Sequence, residues 1–258
     1  MRYPRLLALA LLVLLLLAWE WAVQAFEISK FVLPAPSAIA AAFATDSETL
    51  LSSTWVTLRI TVMAFFIAVV LGVALAVVFS QSRIIERALF PYAVTLQVTP
   101  VVAIAPLILI WVGLDNAERA VLILATIVAF FPILSNTTLG LRSADAQLHE
   151  LFDLLGATRW QRLWRLQMPA ALPYLLAGMK VSGGLALIGA VVAEFAAGSG
   201  TSTGLAWRIA EAGNRLEVEK AFAALIIMAA IGIAIFWSLT LLEWWLLRKW
   251  HESAISRE

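Results

Sequence analysis

Few residues in this 258-residue chain carry the chemistry of a reaction centre. Cysteine is absent, which excludes thiolate nucleophiles, thiolate metal sites and disulfides. The two histidines, His149 and His251, are far apart in sequence, and no His-Glu-x-x-His pair is present to hold zinc. No lysine follows a glycine, so the chain has no nucleotide-binding P-loop of its own. The glycine-rich run Gly198-Ser-Gly-Thr-Ser-Thr-Gly204 reads as a turn. What remains is a small set of polar residues inside long apolar runs. Thr95, Gln97 and Thr99 lead into Pro100, with Pro106 beyond. Ser135, Asn136, Thr137 and Thr138 form a second group, and Glu194 stands alone after Val191-Val-Ala. At membrane depth such groups are costly, and they mark a solute pathway, a gate or a polar contact between helices.

The elements that hold these groups have to be membrane helices. Apolar residues make up 62% of the chain and charged residues 14%, with a mean hydropathy of +0.93; a soluble domain runs near about 45–50% and about 25%. A formal charge of +1 gives no argument for nucleic acid. A bilayer-crossing helix needs about 20 mostly apolar residues, and six runs qualify: residues 6–26, 55–79, 89–112, 121–140, 174–197 and 222–247. The expected fold is therefore an all-α membrane protein with six transmembrane helices. With the N-terminus inside, the connections on the cytoplasmic side carry eleven basic residues and the outer ones five. This places both termini in the cytoplasm. Trp19, Trp21, Trp55 and Trp111 then fall at outer ends and Trp244, Trp245 and Trp250 at the inner end of the last span, the headgroup level that tryptophan prefers. The first run also resembles a signal peptide ending near Ala25, whereas Trp19, Glu20 and Trp21 speak for a retained helix. The expected division is residues 1–54 as first helix and outer connection, 55–250 as a five-helix core, and 251–258 as a tail.

Glu194 shares one helical face with Gly183 and Ala190, and small residues there let another helix approach closely. Two readings stand: a structural anchor, paired with a loop arginine such as Arg208 or Arg215, and a gate or pathway group. For Thr95, Thr99 and Pro100 the alternatives are a broken helix lining a pathway and a kink whose polar groups bond internally. Asn136 either lines the inner vestibule or bonds between helices. Arg59, Glu20 and Glu243 lie near span ends, where they can snorkel.

Most connections are short, but the one at 142–173 is long and reads as two helices. Leu148, Leu151, Phe152 and Leu155 make one apolar stripe, and Gly156 sits where a C-cap belongs. Thr158-Arg159-Trp160-Gln161 has the pattern of a capping box that starts the second helix. Pro169 and Pro173 are expected to end that helix and begin the next span, and bulk at Gly156 to overfill the turn between the two. The pair either merely joins two spans or presents a docking element at the membrane face.

The same residues carry a family resemblance. Glu150-Leu-Phe-Asp-Leu-Leu-Gly156, followed after nine residues by Leu166-Gln-Met-Pro169, resembles the EAA loop of ABC importer permeases, with Leu151 and Phe152 in place of the two alanines. Leu33-Pro-Ala-Pro-Ser37, Thr99-Pro-Val-Val-Ala-Ile-Ala-Pro106, Leu155-Gly-Ala-Thr-Arg-Trp-Gln161, Pro169-Ala-Ala-Leu-Pro173 and Val191-Val-Ala-Glu-Phe195 resemble permeases of the nitrate/sulfonate/taurine group. The ending Arg248-Lys-Trp-His-Glu-Ser253 is similar to permeases of the pyrimidine and riboflavin uptake subgroup. The resemblance implies a bacterial inner-membrane importer subunit with no catalysis or cofactor of its own. It implies a second copy of the permease as homodimer partner, two cytoplasmic ATP-binding subunits, a periplasmic or lipid-anchored solute-binding protein, and membrane lipid around them. It assigns ATPase coupling to Glu150, Asp153, Gly156, Ala157 and Pro169. Thr95, Thr99, Pro100, Asn136 and Glu194 are the candidates for pathway or gate. The competing class is a secondary carrier or channel without an ATPase, which gives no reason for the helix pair at 142–173.

Overall fold

The computed structural model describes residues 3–197 and 203–248. Residues 198–202 of the glycine-rich turn, Lys249, Trp250 and the tail 251–258 with His251 lie outside the described residues. Among the described residues the regular structure is helical throughout, as the apolar composition requires. The elements are α1 (Tyr3–Ala25), α2 (Pro36–Thr45), α3 (Ser47–Gln81), α4 (Arg83–Val98), α5 (Val101–Val112), α6 (Ala117–Leu141), α7 (Ala146–Leu154), α8 (Arg159–Arg162), α9 (Met168–Ala197), α10 (Leu205–Asn214) and α11 (Val218–Leu247). Four helical stretches are long and apolar enough to cross a membrane: α3, α6, Arg159–Ala196 and α11. The α4–α5 pair makes a fifth if counted as one span, and the apolar stretch Ala10–Ala25 of α1 is shorter.

Of the two alternatives for the run 89–112, a broken helix and a kink, the break is what forms: α4 and α5 meet at a bend of 101° at Thr99 and Pro100. Pro100 has no N–H to continue α4, and it biases Thr99 to the extended backbone seen there, φ −70° and ψ 124°. One expectation about prolines is corrected: Pro169 and Pro173 do not end a helix. From Arg159 the chain stays helical to Ala197 by way of a π turn, Leu163–Gln167. Met168 N–H donates to Leu163 O in that turn. The wider turn falls directly before Pro169, where an α-helical carbonyl would meet the proline ring.

The chain forms two compact units. One comprises residues 57–202 with 231–258, and its core is the antiparallel seam between α6 and α9. A Cβ added to Gly140 would lie 2.8 Å from Ala171 Cα. At Gly178 it would lie 2.9 Å from Pro132 O, and at Gly189 2.9 Å from Ala125 Cα. Ser182 Oγ donates to Ala129 O at 2.7 Å in the same line. The α9 residues 171, 178, 182 and 189 recur every seven or four positions, so one stripe of small side chains brings the two backbones together. Gly72 of α3 packs as closely on Ile133, and Gly183 of α9 on Ile235 and Leu239 of α11. Toward the α7 end of α6, Phe79, Ala93, Leu134, Leu141, Leu163 and Ala171 close one buried cluster.

The other unit comprises residues 1–56 with 203–230. The sequence reading missed its short helices α2 and α10. Pro36 opens α2 at the first helical turn. Glu20 Oε2 accepts from Ser37 N–H at 3.0 Å and Oε1 from Ser37 Oγ at 2.8 Å, tying α1 to α2. Arg208 of α10 donates to Ser53 Oγ at 2.9 Å and pairs with Glu211 at 2.7 Å. Lys220 pairs with Asp46 at 2.7 Å.

Candidate coupling and pathway sites

The helix pair at 142–173 is built by local rules. Asp145 caps α7, its carboxylate accepting from Gln147 N–H at 2.9 Å. At the other end Gly156 has φ +65°, Ala157 N–H reaches back to Phe152 O and Gly156 N–H to Asp153 O, both at 3.0 Å. These two bonds make a Schellman cap, for which glycine suits the left-handed position. The expected crowding at Gly156 is absent, because an added Cβ would meet nothing within 4 Å. Conformation, not space, explains this glycine. Thr158 Oγ1 accepts from Gln161 N–H, and Gln161 Oε1 from Thr158 N–H at 2.8 Å, so the capping box forms as its sequence pattern anticipates.

The two halves of the loop have opposite environments. No residue of α7 is buried. Leu151 and Leu155 are exposed, and Leu154 is 86% exposed. The π turn is anchored: Leu163 and Leu166 are buried, Leu163 within the cluster of Phe79, Leu134 and Leu141. Asp153 of α7 pairs with Arg162 of α8 across the Gly156 turn. Glu150 is exposed, Ala157 half-buried in the turn, and Pro169 half-buried at the start of α9. Arg162 and the π turn therefore join α7 to the buried cluster.

The candidate pathway residues are not equivalent. Thr95 Oγ1 donates to Pro91 O at 2.9 Å and Thr99 Oγ1 to Thr95 O at 2.7 Å, so both hydroxyls bond along their own helix up to the break. Thr95 and Pro100 are exposed and Thr99 half-buried. Asn136 sits at the α6–α9 crossing, its amide donating to Pro132 O at 2.8 Å, with Gly178 against its Cβ. Glu194 is 1% exposed and accepts from Thr57 Oγ1 at 3.0 Å. Arg208 and Arg215 both pair with Glu211.

Sequence reasoning missed the ion pairs. Lys180 of α9 meets Glu243 of α11 at 2.6 Å, each side chain about one-fifth exposed. Arg59 of α3 meets Glu118 of α6. Partners so distant in sequence leave no spacing signal, although a lysine inside an apolar run is itself a sign that an acid lies opposite. Outside the spans, the hydrogen bond from Arg208, with the charges of Arg208, Arg215 and Lys220, holds the Glu211 carboxyl below its usual range.

A polytopic helical bundle with a broken span and an anchored, outward-facing helix pair defines a class of transport protein. The chain belongs to the family of binding-protein-dependent transport system inner membrane components, whose model matches residues 68–248. It is 35% identical over 244 residues to the riboflavin transport system permease protein of Chloroflexus aurantiacus, covering 94% of this chain and 89% of that one. It is 32% identical over 257 residues to the putative aliphatic sulfonates transport permease protein of Bacillus subtilis, covering 98% and 90%. The fold matches the crystal structure of an amino acid ABC transporter with histidines at a TM-score of 0.61 and 19% identity, over 80% of this chain and 96% of that chain. The chain is thus a multi-pass membrane permease component of the ABC importer kind, and the resemblance to the nitrate/sulfonate/taurine and riboflavin permeases holds.

Proposed function

We propose that the chain is the six-span permease subunit of an ATP-driven importer in the bacterial inner membrane, with both termini cytoplasmic. Two copies enclose the pathway, two ATP-binding subunits dock from the cytoplasm, and a solute-binding protein delivers a small solute from outside. The division into residues 1–54, the core 55–250 and the tail 251–258 belongs to this reading. The permease performs no catalysis and supplies the surface through which ATP hydrolysis moves its helices. The observation that carries the reading is α7: a capped helix with exposed leucines, in register with the family's Glu150, Gly156 and Pro169, joined by Asp153, Ala157 and the π turn to the buried core. An apolar helix face left exposed among the described residues serves here as a docking surface.

The break at Thr99 and Pro100 forms part of the pathway wall, beside Thr95, because chain bent within a span is stable only against protein or a watery cavity. Asn136 and Glu194 complete the pathway and gate set. The solute is a nitrate-, sulfonate- or taurine-like anion or a hydroxymethylpyrimidine- or riboflavin-like heterocycle. The 35% identity to a riboflavin permease, against 32% to the sulfonates permease, supports the second. The test is purification in mild detergent with the co-expressed ATPase and binding protein. Co-elution of both, with the bound solute identified on the binding protein, is expected. Solute uptake by vesicles carrying this chain with no ATPase present contradicts the proposal. Glu194→Gln with unchanged uptake removes Glu194 from the gate.

A further inference from the structure

The side of the molecule that carries α7 also holds a cleft that neither docking nor the pathway accounts for. One face of α4 lines it: Arg83, Glu86, Arg87, Phe90 and Pro91 recur at the three- and four-residue spacing of a single helical stripe. The opposite wall is Arg142 at the end of α6 and His149 of α7, and the open cleft has a volume of about 700 Å³. A second cavity of about 250 Å³ shares Ser80, Arg83 and Gln167 with the first and adds Arg159 and Arg162. The two together gather five guanidinium groups against one lining carboxylate, Glu86, with Asp153 outside the lining. Glu86 is taken by Arg142 and Asp153 by Arg162. Arg83 and Arg87 are exposed and make no ion pair among the described residues. They also stand in the first turns of a 16-residue helix, whose amino end adds positive potential.

Uncompensated cations around a cavity with polar walls and an apolar floor of Phe90, Pro91 and Leu141 are matched by an anion with several acceptor oxygens. We infer that this cleft binds a phosphate group, held by the unpaired Arg83 and Arg87 beside the Arg142–Glu86 pair, with His149 bringing the bound anion into contact with α7. The phosphate comes either from an anionic phospholipid or from a free phosphate-bearing solute. The lipid source is favoured on two counts. Ile84 and Tyr92 on the other face of α4 are largely exposed, and the proposed orientation puts the cleft at the cytoplasmic leaflet, where basic pockets between membrane helices take headgroups. The site itself does not depend on the importer reading, because its test involves no ATPase and no transport.

The experiment is native mass spectrometry of the purified whole chain with added phosphatidylglycerol, and titration of the delipidated chain with inorganic phosphate. Arg83→Gln/Arg87→Gln is compared with Arg165→Gln/Arg248→Gln, which removes equal charge from outside the cleft. Retention of phosphatidylglycerol that falls roughly thirtyfold in the first variant only, from the loss of two basic groups, supports the site with lipid as source. Saturable inorganic phosphate binding, lost in the first variant only and without lipid retention, supports the site with a free phosphate as source. Equal losses in both variants, or no binding of either probe, overturn it. Arg83→Lys/Arg87→Lys retains part of the binding if the site is as described, and none of the side chains exchanged supports the buried core.

Discussion

The α6–α9 seam and the α7–α8 loop are built on opposite plans. In the seam, small residues 171, 178, 182 and 189 of α9 meet α6 so closely that four backbone approaches admit no Cβ or only a small one. The seam completes itself within the chain. In the loop, the caps and turns are closed by local hydrogen bonds, while the leucines of α7 are exposed among the described residues. The difference separates what holds the permease together from the face that, on the proposed reading, it offers to another protein. Between them, Leu163 belongs to both: it lies in the π turn and is 1% exposed in the core cluster.

This contrast can be broken from either side. The largest effect is expected at the seam. Gly178→Leu would drive a side chain into Pro132 O and Asn136, and even Gly178→Ala places Cβ at 2.9 Å from that carbonyl. Overpacking of this kind costs about 1–3 kcal/mol or more. The leucine variant should accumulate poorly and unfold at lower temperature in detergent, measured by light-scattering-detected melting. Leu154→Asp should do the reverse. Leu154 is 86% exposed, so melting stays within about 0.5 kcal/mol of the parent. Association with the ATPase, read by co-purification, should fall at least about tenfold if the leucine is a central contact.

Smaller effects sharpen the picture. Gly156→Ala has open space around it but must hold φ +65°, at a cost of roughly 1–2 kcal/mol. Its expected signature is faster proteolysis within 142–173 with an unchanged global melt. The Glu211 cluster gives the smallest effect, through pH. Its carboxyl is held below the usual value of 4.5 by Arg208, so the contribution is complete above that value and is lost as pH falls through the lowered one. Melting should therefore be flat near neutrality, with a loss on acidification that Glu211→Gln abolishes.

The same contrast explains what could be read from the sequence. Both caps of the loop were legible, because Gly156 and the Thr158/Gln161 pair act on backbone groups within five residues. Long apolar runs announced α3, α6, α9 and α11. At Pro100 the sequence left a broken helix and a kink open, because proline shows where a helix stops but not where the chain then goes; the bend is 101°. The continuous helix through Pro169 and Pro173 was missed for a related reason: the π turn that admits it has no sequence signature. The helices α2 and α10 were missed because they are only 10 residues each, too short for periodicity to stand out. Thr57, which donates to Glu194, lies 137 positions away, beyond any reading of spacing.

The central claim is that α7 receives the work of a separate ATPase and passes it inward through the π turn. The direct measurement is solute uptake by proteoliposomes containing the permease, its ATPase and its binding protein, with ATP sealed on the ATPase side. Uptake should require ATP and should collapse in Leu154→Asp while permease content stays at the parental level. Uptake that continues without ATP on an imposed ion gradient, or that is unaffected by Leu154→Asp, would contradict the account.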